Sequence, residues 1–273
     1  MKNATIFLLF IWHFNLLNAQ VVFEPFGVTT WQQGACGLFE NDAPAVFNNP
    51  ANLSIARNAN AEVFHQQKFG IKEMGNSGIA VSIPNKWLDA GFGYSYFGFS
   101  LYNQQRFGAA VSKKLNKKIS LGINLNYLYN QMPDYSFSSA LLFALSGNVE
   151  LNQNWGVAFL LNNPTQQNYK GVSQEKAPSF ARIGLKYKIN KQVVCLTETE
   201  LQPGQEAIFR FGLKYNPFAI VELGAGIQLP IGIFSFGAGL TVSKIKVSMA
   251  ATVHSYLGFY PQFGMNFPLQ KAK

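Results

Sequence analysis

Six charged residues in the C-terminal half stand at spacings that let them act together. Arg182 and Lys186, Glu198 and Glu200, and Arg210 and Lys214 occupy like-parity positions of three consecutive segments. Alternate side chains of an extended strand share a face, so each pair projects one way. Turn formers at Asn190-Lys191 and Pro203-Gly204 fold the three segments side by side. The expected result is a ladder of basic, acidic and basic groups, with Arg182, Glu198 and Arg210 at similar height. Such a ladder either neutralises itself and props a wall, or forms a polar constriction that also holds a plug. The prop is the favoured reading, because no substrate is visible in the sequence.

Other chemistry is poorly supplied. His65 and His254 are the histidines after residue 19. Two are too few for a His-rich zinc site, and no Cys or acidic residue sits at ligand spacing. A lipid hydrolase built on His254 would need that ring facing lipid with a serine in reach, whereas alternation turns it inward. Gly91-Phe92-Gly93 and Gly224-Ala225-Gly226 mimic pieces of a dinucleotide fingerprint, but neither opens a helix. They read instead as small residues that let inner side chains or a plug fit. Cys36 and Cys195 are far apart in sequence and read as unpaired small apolar residues. No catalytic residue, metal or cofactor is expected, and the enzyme reading is set aside.

The elements that must position the ladder follow from composition and pattern. Charged residues make up 13% of the 273-residue chain, aromatics 15%, and there are 24 Gly. A soluble domain carries about 25% charged residues. After the N-terminus no stretch approaches the ~20 apolar residues of a membrane helix. These features predict an all-β fold, a transmembrane antiparallel β-barrel facing lipid, with a soluble sandwich as the alternative. Alternation is clearest from Ile119 to Asn130. Ile119, Leu121, Ile123, Leu125, Tyr127 and Tyr129 share one face, and Leu128 alone breaks the polar face opposite. Similar runs predict about 14 strands, over 59–68, 76–84, 87–98, 104–114, 117–130, 139–151, 154–162, 179–189, 192–202, 206–215, 217–228, 231–241, 243–254 and 257–267. Tight-turn signals at Pro84-Asn85-Lys86, Asn116-Lys117, Asn152-Gln153-Asn154, Asn190-Lys191 and Asn216-Pro217 fall at every second junction. They define one short-turn rim, periplasmic in such barrels, which an even count shares with both chain ends. Opposite lie longer junctions carrying Tyr135, Phe137 and Tyr169.

The chain divides accordingly. Residues 1–19 read as a signal peptide: Lys2, an apolar run from Ile6 to Ile11, and Leu17-Asn18-Ala19 before the cut. Export places the protein in the cell outer membrane of a Gram-negative bacterium. The barrel spans 59–267 and a tail 268–273. Between leader and barrel, residues 20–58 do not alternate; they hold Gly34, Gly37, Pro44 and Pro50. Such a segment plugs the lumen or lies across its periplasmic mouth.

Within it, the run from Gly34 to Leu53 resembles the N-terminal signature of the FadL-type outer-membrane barrel superfamily, which includes long-chain fatty-acid transporters and PorV/PorQ-like proteins associated with type IX secretion. The matching residues are Gly34, Gly37, Asp42-Ala43, Ala45, Phe47, Asn49-Pro50-Ala51 and Leu53. The chain departs at Cys36-Gly37-Leu38, where the family often has Met-Gly-Gly, and at Asn52, where it often has Gly. The resemblance implies that Asn49, Pro50 and Ala51, with Asp42 and Gly37, belong to a hatch in the lumen. It implies a passive channel for hydrophobic or amphipathic small molecules. The alternative is a PorV/PorQ-like accessory barrel that binds secreted proteins or secretion machinery, to which the short chain and small loops point. The expected partners are outer-membrane lipid or lipopolysaccharide, and either a hydrophobic small molecule or a secretion-system protein; the basic excess at turns and lumen positions such as Lys113, Lys114, Lys117 and Lys118 fits lipopolysaccharide or another acidic surface. Nucleic acid is not expected after export.

Overall fold

The computed structural model of the protein describes residues 23–56, 58–132, 136–171 and 175–270. The expected leader and Tyr135 lie outside them. Fifteen strands follow in order: β1 (Ala59–Gln67), β2 (Gly75–Ile83), β3 (Asp89–Phe99), β4 (Tyr102–Lys114), β5 (Ile119–Met132), β6 (Ser136–Glu150), β7 (Trp155–Asn162), β8 (Lys170–Gly171), β9 (Phe180–Lys188), β10 (Val193–Leu201), β11 (Ile208–Phe218), β12 (Val221–Leu229), β13 (Ile233–Val242), β14 (Ile245–His254) and β15 (Gly258–Gln270). Fourteen of them form a closed antiparallel barrel. Each pairs with its neighbour in sequence, β7 pairs with β9, and β1 meets β15 with Val63 opposite Met265. The two-residue β8 only clips onto Ser138 and Ser139 of β6.

The wall is apolar outside and polar inside. On β5, Leu121, Ile123 and Leu125 are 44–51% exposed, while the intervening Asn124 and Asn126 are 1% exposed. A soluble sandwich would bury the leucines and expose the asparagines, so this inversion decides for a membrane barrel. No helix of the described residues is long and apolar enough to cross a membrane, and the crossing is made by strands. Leu128 has its own cause: it turns inward and packs with Ala140, Leu142, Tyr169 and Ala177.

Asparagine side chains close the short-turn rim by one repeated device. Asn116 Oδ1 accepts from the backbone N–H of Lys118 and Ile119 at 2.8 and 2.9 Å. Asn152 does the same for Asn154 and Trp155, and Asn190 for Gln192 and Val193. These are Asx turns, set by residue type alone. The Asn216-Pro217 turn expected from sequence is not one. β11 runs on to Phe218 and its register with β12 shifts between Tyr215 and Phe218. Proline suits such an irregularity because it has no N–H to pair. The tail also begins later than expected, since β15 continues to Gln270.

Two short helices, α1 (Val28–Gln32) and α2 (Ala45–Asn48), and a 3-10 turn (Pro50–Ser54) precede β1. Their side chains are almost all buried. α1 touches β12 to β15, α2 touches β2 to β4, and the 3-10 turn touches β3 to β6. The segment therefore lies inside the barrel, against opposite walls.

Candidate functional site

The lumen is shaped by what its inner wall lacks. A Cβ added to Gly91 would fall 2.4 Å from Val46, and one on Gly93 or Gly108 would fall 2.3 Å from the Phe47 ring. On Gly122 it would meet Ala51 N at 2.3 Å, on Gly212 Gln33 O at 2.5 Å, and on Gly226 Gly34 N at 2.3 Å. All six glycines are on inward positions of the alternating wall. Their missing side chains make the groove in which the N-terminal segment lies.

Polar groups fix the segment in place. Asn49 donates from Nδ2 to Leu38 O at 2.7 Å and accepts from Ala51 N–H at 3.2 Å. Pro50 opens the 3-10 turn, where its missing N–H costs nothing. The Ala51 N–H also donates to Ser146 Oγ on β6 at 2.9 Å. Asp42 O accepts from Ala45 N–H at 2.9 Å at the start of α2. Gly37 fits closely under Asn48, 3.0 Å from where its Cβ would be. Several further anchors were not expected as such from the sequence. Asn52 donates to Leu38 O and Glu40 O and accepts from Asn148 on β6. Asn124 donates to Val46 O at 2.7 Å, and Gln32 to wall carbonyls at Ala238 and Met249. For Asn124 and Asn148 the signal was asparagine at inward positions of alternating strands; Gln32 and Asn52, off the strands, carried none.

The charged ladder is present but registered differently. Glu198 lies opposite Arg210, yet Arg182 lies opposite Glu200 and not Glu198. Glu200 is the shared acceptor: its Oε2 pairs with Arg182 and, at 2.9 Å, with Arg210 Nη2. Glu198 turns to the N-terminal segment and accepts the Leu38 N–H at 2.7 Å. Lys186 pairs with Glu150, and Lys214 with Glu222, which also takes Lys246 at 2.7 Å. Five of the six residues thus fall into three ion-paired groups, and Glu198 instead holds the N-terminal segment. The correction follows from strand offset: one pairing step of two residues, set by the turns, moves Arg182 from Glu198 to Glu200.

The remaining sequence candidates have local roles. Cys36 and Cys195 are both free thiols, and burial pushes the Cys36 thiol up, leaving it neutral. His254 Nδ1 accepts the N–H of Tyr256 and Leu257 and so closes a turn. His65 faces outward beside Ser77. Tyr169, expected in an outer loop, is folded into the lumen and only 4% exposed.

Two cavities flank the segment. One of about 310 Å³ opens toward the loop rim and is lined by Phe23, Asn76, Phe97, Gln104, Arg106 and Tyr169 among others. One of about 270 Å³ opens toward the short-turn rim, beside Ile55, Lys117, Lys118 and Asn148. They share no lining residue.

No family model matches the sequence, and no curated protein does. Solved structures match the fold. The toluene transporter TbuX of Ralstonia pickettii superposes with a TM-score of 0.66 at 9% identity, covering 90% of this chain and 97% of that one. The toluene transporter TodX of Pseudomonas putida gives 0.65 at 10% identity, covering 89% and 96%. A FadL homologue of Pseudomonas aeruginosa gives 0.64 at 11% identity, covering 89% and 98%. The chain has the fold of FadL-type outer-membrane barrels. Two of these three are named as toluene transporters.

Proposed function

We propose that the protein is a passive channel of the Gram-negative outer membrane for small hydrophobic or amphipathic molecules, with residues 23–56 as its hatch. One observation carries the reading: a ligand-sized cavity inside a FadL-type barrel ends on a segment seated in a groove of wall glycines. Ligand pockets begin at about 300 Å³. The segment contacts the wall on opposite sides between the two cavities, and on this reading cargo reaches the periplasm when the segment moves. The toluene transport named for TbuX and TodX supports a hydrophobic cargo here. Short loop-rim junctions, such as residues 100–101 and 230–232, favour the accessory-barrel reading instead.

The test is a lock. In a chain with Cys36 and Cys195 replaced by Ala, Ala51→Cys and Ser146→Cys place two thiols where the Ala51 N–H now meets Ser146 Oγ. Proteoliposomes are assayed for uptake of toluene and of a labelled fatty acid, oxidised and then reduced. Uptake that stops on oxidation and returns on reduction supports the hatch. Uptake indifferent to the crosslink rejects it. No uptake, together with stable co-purifying outer-membrane proteins, favours the accessory barrel.

A further inference from the structure

Arg106 is a buried cation without a counter-charge. It projects inward from β4 and lines the loop-side cavity. Its guanidinium carbon stands 3.5 Å from the centre of the Phe23 ring and 4.0 Å from that of Phe47. Nε donates to Asn126 Oδ1 at 2.9 Å, whereas Nη2 is buried and has no acceptor among the described residues. None of the described ion pairs includes it, and the other two charges of the cavity, Glu24 and Lys68, pair with each other. A guanidinium withdrawn from water calls for an anion as well as ring faces. Its planar fork fits a carboxylate best. The rest of the lining is mixed. Asn76, Ser95, Gln104 and Asn130 bring amide and hydroxyl groups, while Phe97 and Leu128 are apolar. A plain alkyl chain would leave those amides facing hydrocarbon, at a desolvation cost.

We infer that the loop-side cavity selects small organic carboxylates whose body carries hydroxyl groups, with the carboxylate on Arg106. Hydroxylated aromatic acids are the class that fits: an aromatic face for Phe97, ring hydroxyls for the amides, and a size for about 310 Å³. The inference rests on the channel reading and names its cargo.

The experiment uses the purified full chain, by calorimetric titration in detergent and by uptake into proteoliposomes. The probes are para-hydroxybenzoate, its neutral counterpart para-hydroxybenzyl alcohol, and toluene. The acid is expected to bind at least tenfold more tightly than the alcohol. Arg106→Gln is expected to erase that difference. Gln104→Leu, on the same cavity wall, is expected to weaken binding of the acid severalfold; it decides the matter if Arg106→Gln fails to fold, and acid binding unchanged in it overturns the inference. If toluene passes but the acid is bound no better than the alcohol, or its preference survives Arg106→Gln, the inference is overturned and the channel stands. If none of the three binds or passes, both fall.

Discussion

Gly122 offers a direct test of the groove. In Gly122→Ala the new Cβ falls 2.3 Å from Ala51 N, 2.4 Å from Pro50 C and 2.8 Å from Ala51 Cα. All three are backbone atoms, so no flexible side-chain end can swing aside. β5 is held by pairing with both β4 and β6. The element that yields is therefore the 3-10 turn, and its retreat breaks the 2.9 Å bond from Ala51 N–H to Ser146 Oγ. Overpacking of this kind costs about 1–3 kcal/mol. The lost hydrogen bond adds about 1 kcal/mol. Together, at about 1.4 kcal/mol per tenfold, the displaced population of the hatch rises roughly thirty- to several-hundred-fold. Amide hydrogen exchange over residues 26–54 reads that population, and proteoliposome uptake reads its consequence. Gly75→Ala is the control, because the nearest atom there is an ordinary 3.5 Å away. Heat-modifiable gel mobility confirms that both barrels are closed. Equal exchange and equal uptake in the two variants would refute the idea that wall glycines seat the segment.

Further substitutions separate wall from hatch. Glu200→Gln leaves Arg182 and Arg210 facing each other without their shared carboxylate, a loss of about 3–5 kcal/mol that should lower the thermal unfolding midpoint of the barrel. Glu198→Gln keeps the shape but exchanges a charge-assisted bond for a neutral one, about 1 kcal/mol. Its barrel should fold normally, with faster exchange at the Leu38 amide and unchanged exchange in the wall. Asn49→Ala removes the bonds to Leu38 O and from Ala51 N–H and should destabilise the hatch by about 1–2 kcal/mol, measured by the same exchange. Leu125→Arg puts a cation on the outward face and should cost about 2–4 kcal/mol in folding into liposomes, if that face meets lipid.

The wall was legible because each of its residues answers a local question, lipid or lumen, with period two. The rim at Asn116, Asn152 and Asn190 was legible for the same reason, since an Asx turn needs only its own residues. What escaped depended on distant chain. Asn216-Pro217 has turn composition, but proline also suits an irregular strand, and only pairing with β12 shows which applies. The ladder residues were found by parity, whereas their partners depend on strand offset, which parity does not fix. Arg106 carried no mark in the sequence: what sets it apart is Phe23 and Phe47, 3.5 and 4.0 Å from its guanidinium carbon, which come from a segment outside the strand pattern.

The seam between β1 and β15 has a consequence for assembly. It joins the two most distant strands of the sequence, so it carries the largest loop-closure cost of the wall's pairings. The N-terminal segment emerges before any strand and rests on early strands through its 3-10 turn and on late ones through α1. A segment already in place when the seam shuts needs no threading through a finished rim. The residues packed inside the finished wall would then act first as a mandrel around which the circumference is drawn.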